Sequence, residues 1–306
     1  MNVRSKQNEK NKGGLLPLLT ALLVMALWGS LFPMVKIGFS TLGIDSASIP
    51  SILLFAGIRF TLCGGVALGI SAAKKDRIGE NRGSIIGSVL LIGLFSIVLH
   101  YAFTYIGLSS TDSSKTALIK QVGSLAYVCA APLFFRDEHI SWRKLAGAAV
   151  GFLGILAINY TGNGISFSVG DILILLASAC TVVSSIINKR TADKTSSFII
   201  TGVSQLSGGI VLIAAALIMG GASMSLSPEG IAAFAYICTA STIAYLLWNY
   251  VLRSGSLSKL LIIKFAEPLF ACIFGALLLG ENIFKVQYLL AFLLISAGIM
   301  LASKEK

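Results

Sequence analysis

Four ionisable side chains stand inside long apolar runs of this sequence: Arg59, Lys120, Lys264 and Glu267. A lysine at depth in hydrocarbon costs on the order of 3 kcal/mol on insertion scales, so each needs a partner or a wet cavity. Lys264 and Glu267 are three residues apart and share a helical face, so they can neutralise one another. Lys120 has no acid within one turn, and Gln121 beside it cannot neutralise it. Two ammonium groups so placed could receive a carboxylate or a phosphate, with Glu267 balancing one charge or exchanging a proton. Arg59 has three roles open to it: pairing with Glu267, contact with a bound anion, or hydrogen bonds to backbone carbonyls.

Aromatic and amide side chains fall in the same stretches: Trp28, Phe32, Tyr101, Tyr105, Tyr245, Trp248 and Asn249. Tyr101 and Tyr105 are four apart, as are Tyr245 and Asn249, so each pair shares a face. Such residues line small-molecule cavities, and they equally serve as interfacial belts or core packing. His100 is either a proton carrier or a hydrogen-bonded packing residue. A catalytic set is missing: the histidines are His100 and His139, and Glu267 is the one clear intramembrane acid. No glycine-rich loop followed by Lys-Ser/Thr is present, which argues against a primary pump. Neither an enzyme nor a bound metal or cofactor is expected. Cys63, Cys129, Cys180, Cys238 and Cys272 all lie in apolar runs and read as core residues.

Positioning these side chains requires spans. Of 306 residues 56% are hydrophobic and 12% charged, about half the usual charged share. Mean hydropathy is +0.87. This excludes a disordered chain, a disulfide scaffold and an ordinary soluble enzyme, and it places the chain in a lipid bilayer. Ten apolar runs are legible: Leu15–Phe39, Ile49–Ala73, Ser84–Ile106, Asp112–Phe135, Trp142–Tyr160, Val169–Asn188, Ser197–Gly220, Pro228–Leu252, Ser256–Leu279 and Val286–Ser303. The first is about 25 residues long, too long for a signal-peptide core, and reads as a retained span. With residues 1–14 taken as a cytoplasmic basic tail, 18 lysines and arginines fall on the inside and 3 outside. That asymmetry predicts a multi-pass protein of the cytoplasmic membrane with both termini cytoplasmic. The basic clusters are therefore topology signals, and the net charge of +11 does not point to nucleic acid.

The two halves are weakly alike at an offset of 144. Gly64-Gly65 matches Gly208-Gly209, Tyr101 matches Tyr245, and Ser114-Lys115 through Lys120 matches Ser258-Lys259 through Lys264. Five spans per half is an odd number, so the second half must enter from the opposite side. The expected fold is an all-α polytopic membrane protein of ten transmembrane helices in two inverted five-helix repeats, 15–160 and 161–303. Lys120 and Lys264 each lie eight residues past a span start, about 12 Å in, and approach the midplane from opposite faces. The stripe Gly147-x-x-x-Gly151-x-x-Gly154 predicts close helix contact, within the monomer or across a homodimer.

Ala26-Leu27-Trp28-Gly29-Ser30-Leu31-Phe32 with Lys36, Phe55 to Arg59, Glu267-Pro268 and Leu278-Leu279-Gly280-Glu281 are similar to span signatures of the EamA-type drug/metabolite transporter superfamily. Glu138 with Gly147, Gly151 and Gly154 resembles the matching region of the first half. The resemblance implies ten helices around a central cavity, and export, or sometimes uptake, of amino acids, nucleobases or other small metabolites, often by proton-linked exchange. The chain departs from the pattern at Gly123-Ser124, where a proline is usual, at Cys180, where a tryptophan is common, and in carrying Lys120 and Lys264. The lysines favour a carboxylate-bearing substrate. The expected function is secondary active transport of small metabolites by alternating access. An importer or exchanger of anionic or phosphorylated metabolites is the alternative, and a membrane enzyme is a more distant one.

Overall fold

The computed structural model describes residues 15–135, 141–160, 165–192, 194–254 and 266–303. They are helical almost throughout, as a bilayer demands, because a backbone amide in hydrocarbon must find its partner within its own segment. No strand occurs among the described residues; two isolated bridges, Ile78–Thr195 and Tyr160–Ile165, pin connections. The helices are α1 (Leu15–Thr41), α2 (Ile49–Ala73), α3 (Arg82–Ser109), α4 (Ser113–Phe134), α5 (Trp142–Ile158), α6 (Val169–Thr191), α7 (Ser197–Met219), α8 (Pro228–Ser254), α9 (Ala266–Leu279) and α10 (Val286–Ser303). Seven of them, α1 to α4 and α6 to α8, are long and apolar enough to cross a membrane. The described parts of α5, α9 and α10 are shorter, at 17, 14 and 18 residues.

Local chemistry sets the starts. Ser48, Ser141, Ser168 and Ser196 each accept a backbone N–H of the first turn, and Asp171 reciprocates for Ser168 in a full capping box. Two helices are interrupted where they meet the cavity described below. A π-helical turn, Leu94–Leu99, sits just before His100 in α3, and α4 breaks its regular pattern at Gln121.

Small residues decide the packing, since lipid offers no hydrophobic drive for one helix to seek another. α2 lies along α7 with backbones almost touching: a Cβ at Gly64 would stand 2.4 Å from Leu206 N, and one at Gly209 2.5 Å from Thr61 N. α5 lies along α10 in the same way, with Gly298 against Gly147 O and Gly154 against Ile295. The glycine stripe of α5 is thus occupied within the chain. α1 packs between α8 and α9, and α6 between α3 and α4. Replacing each helix by the one five places away turns the first of these arrangements into the second and keeps the pairs α2–α7 and α5–α10.

Connections gather at two ends. At one, Ser225 N donates to Leu42 O (2.7 Å), Ser227 Oγ to Thr41 O (2.6 Å) and Ser109 Oγ to Ser46 O (3.2 Å). At the other, Gly79 N donates to Lys194 O (3.2 Å) and Ser196 Oγ to Asp76 Oδ2 (2.6 Å). The second end carries Lys74, Lys75, Arg77, Arg82, Lys189, Arg190 and Lys194 and is called the basic face; the first is the α1–α2 loop face.

Candidate substrate cavity

A cavity of about 350 Å³ lies among α1, α2, α3, α4, α6, α7, α8 and α9. That is the lower end of the range for small-molecule sites. Eleven of the side chains singled out above line it: Trp28, Phe32, Arg59, His100, Tyr101, Tyr105, Lys120, Gln121, Tyr245, Trp248 and Glu267. Lys264 lies outside the described residues. Asn249 belongs to α8, and its side chain also lies outside what is described.

Lys120 projects from α4 with Nζ 5.1 Å from the Phe32 ring centroid and 5.9 Å from that of Tyr101. Arg59 on α2 is almost fully buried. Its Nη2 donates to Ser241 Oγ at 2.5 Å, and the Ser241 hydroxyl donates to Ile237 O at 2.6 Å. The guanidinium carbon stands 4.8, 5.6 and 5.8 Å from the rings of Phe60, Tyr101 and Tyr105, and Nε has no partner among the described residues. The observed partner is thus a hydroxyl relayed to a carbonyl, with aromatic faces around the cation. No carboxylate of the described residues lies within 4 Å of Arg59 or Lys120, although Glu267 lines the same cavity.

Rings form the rest of the wall. Trp28 meets Tyr245 edge-on at 5.8 Å and Trp248 at 5.3 Å; Tyr101 meets Phe60 at 4.2 Å and Tyr105 at 5.5 Å. The Tyr101 and Tyr245 hydroxyls approach to 3.4 Å. The same rings thus stand on the cavity wall and pack against one another. His100 Nδ1 lies 2.8 Å from Ala177 O and 2.9 Å from Thr181 Oγ1. A carbonyl can only accept, so Nδ1 carries a proton, and the imidazole ties α3 to α6 while lining the cavity.

The cavity is asymmetric along its length. Towards the basic face its wall includes Thr201 and the exposed Asn188. Towards the α1–α2 loop face it ends on Val35, Tyr105 and Leu108, buried in a cluster continued by Phe39, Leu42, Phe55 and Ile237. Among the described residues it reaches an exposed side chain towards the basic face and ends in buried ones towards the other.

Sequence reasoning missed several polar groups. Ser124, Thr181, Asn188 and Thr201 line the cavity, but a lone hydroxyl in an apolar helix usually bonds its own preceding turn and so carries no distinct signal. Another buried acid stands at a helix start. Asp171 is fully buried at the start of α6 and accepts Lys115 Nζ at 2.8 Å, so Lys115 is an ion-pair partner besides being a charge near a membrane face. The spacing Ser168-x-x-Asp171, a capping box, is the signal that could have found it.

Apolar helices wrapped around a cavity lined by the buried Arg59, by Lys120 and by aromatic rings have the form of a membrane transporter. The model of the EamA-like transporter family matches residues 15–160 and 168–304, and the chain belongs to that family. It is 27% identical to the uncharacterized inner membrane transporter YedA of Escherichia coli over 90% of this chain and 87% of that one. It is 25% identical to the uncharacterized transporter sll0355 of Synechocystis over 97% and 92%. It is 24% identical to an S-adenosylmethionine/S-adenosylhomocysteine transporter of Chlamydia muridarum over 84% and 82%. A solved crystal structure at 18% identity shares the fold, with a TM-score of 0.63 over 94% of this chain and 96% of that one.

Proposed function

We propose that the chain is a secondary active transporter that exports small carboxylate-bearing metabolites, amino acids among them, across the cytoplasmic membrane by alternating access. One observation carries this reading: Lys120 and Arg59 enter one aromatic-walled cavity from different helices, with no carboxylate of the described residues within 4 Å of either. A bound carboxylate supplies the missing charge, and Glu267 balances the site or takes a proton. The lysine and arginine bias makes the basic face cytoplasmic, so the cavity faces inward here. An inverted repeat of ten spans is supported by the helix pairings that exchange at five places. It is supported also by Tyr101 and Tyr245, 144 apart, meeting at their hydroxyls, and by the two separate stretches that the family model matches.

The Chlamydia relative favours a second, larger member of the same substrate class. Both compounds in its name carry an amino-acid carboxylate and an adenine, and the rings of Trp28, Tyr245 and Trp248 suit a flat heterocycle.

The test is thermal unfolding of purified protein against paired ligands, each amino acid beside its carboxamide, with S-adenosylmethionine included. A ligand that binds the folded state raises the melting temperature, by an amount that grows with the logarithm of its concentration over Kd. The acids are expected to stabilise, their amides not, and Lys120→Ala to erase the difference. Equal responses to acid and amide, or an unchanged response in Lys120→Ala, would overturn the reading.

A further inference from the structure

The closed face is fastened at an unusual place. α4 begins at Ser113 after Asp112, a residue type well suited to cap its own helix. Asp112 does not do so: its side chain caps nothing, and its Oδ2 accepts the Tyr288 hydroxyl of α10 at 2.9 Å. The cap comes from Glu281, far along the chain in the α9–α10 connection. Its Oε1 accepts Ser113 N–H at 2.7 Å, and its Oε2 accepts Ser114 N–H at 3.0 Å and the Ser114 hydroxyl at 2.6 Å. Charge-assisted bonds to free helix-end amides are among the stronger ones available at a protein surface.

The chain delivers this carboxylate deliberately. Gly280 ends α9 at φ +65°, a conformation that favours glycine, and its N–H bonds back to Ala276 O. The turn sends Glu281 back over Gly275, where any Cβ would lie 2.7 Å from Glu281 Oε2 and 2.8 Å from Ser114 Oγ. Directly beneath, Phe32 of α1, Ala117 of α4 and Ala271 of α9 form a small buried cluster. Lys120, the cavity cation, lies one turn further along α4.

We propose that Glu281 is a detachable latch on the α1–α2 loop face: it holds the start of α4 against α9 in this state, and Asp112 takes over the cap when that face opens. Asp112 can accept a first-turn amide such as Ser114 N–H, and Ser113 N–H passes from Glu281 to water as the face opens, which is what lets the contact break and reform. Its purpose rests on the alternating-access reading, because a carrier must open the face that is shut here.

Reagent access tests it without any substrate. Cys63, Cys129, Cys180, Cys238 and Cys272 are replaced by serine, one reporter cysteine is introduced, and the protein is placed in lipid nanodiscs, which leave both faces accessible. Ala117→Cys reports on the interface under the latch; Ala216→Cys, buried in α7, reports on general loosening. With a polar maleimide, Glu281→Ala is expected to speed labelling of Ala117→Cys at least tenfold and to leave Ala216→Cys unchanged. Ser114→Ala, which removes one donor, should give a smaller rise in the same direction and serves if Glu281→Ala does not fold. Asp112→Ala combined with Glu281→Ala should label more slowly than Glu281→Ala alone, because the open form then lacks its own cap; faster labelling would overturn the role given to Asp112. An unchanged rate at Ala117→Cys in both single variants, or an equal rise at both reporters, would overturn the latch. Failure of the carboxylate screen above would leave this measurement untouched.

Discussion

Lys120 and Arg59 line one cavity yet are held differently, and the difference sets what each substitution does. Arg59 is wedged among three rings and a hydroxyl. Arg59→Ala therefore removes packing as well as charge and should cost about 3–5 kcal/mol, the range for truncating a large buried side chain. Thermal unfolding in detergent measures it. Lys120 touches the faces of Phe32 and Tyr101. Lys120→Ala relieves a cation at depth and should leave stability within about 1 kcal/mol while abolishing the response to carboxylates. A melting temperature that falls as far as in Arg59→Ala would make Lys120 a structural residue. Ser241→Ala should cost about 1.5–3 kcal/mol, the loss of one hydrogen bond from a charged donor.

Among the elements, the tight pairs are α2–α7 and α5–α10, and their glycines are not equivalent. Gly64 faces the Leu206 backbone at 2.4 Å from a virtual Cβ, whereas Gly65 beside it meets nothing within 4 Å. Gly64→Ala should push the two helices apart and lower the melting temperature by several degrees, and Gly65→Ala should be neutral. Similar losses from both would mean that the α2–α7 contact is looser than the backbone spacing requires. The sequence marks both residues as matches to Gly208-Gly209, but only the face turned to α7 separates them. In a helix apolar all round, hydropathy does not reveal that face.

For the whole molecule, the grouping of connections makes a topological prediction. Lys75 lies on the basic face and Asn282 in the α9–α10 connection at the other. In intact cells carrying an otherwise cysteine-free chain, Asn282→Cys should react with an impermeant thiol reagent. Lys75→Cys should react only after permeabilisation. The reverse pattern would turn the cavity outward in this state and reverse the assignment of the two faces. Once a substrate is found, vesicles preloaded with it should take up labelled substrate against its gradient. Counterflow of this kind distinguishes a carrier from a channel.

Local composition was enough for much of this. Long apolar runs and the imbalance of lysine and arginine are read within one segment, because burial in lipid acts on each segment separately. So were eleven of the cavity residues, since a charge, an imidazole or an indole in the middle of an apolar run is already anomalous. The partners were another matter. Ser241 beneath Arg59, Asp171 beside Lys115 and Glu281 on the start of α4 join residues far apart in the chain. Lipid-facing and partner-facing surfaces are equally apolar, so no periodicity says which helices meet. Only the packed molecule brings those groups within hydrogen-bond distance, and only there does the cavity have an open end and a shut one.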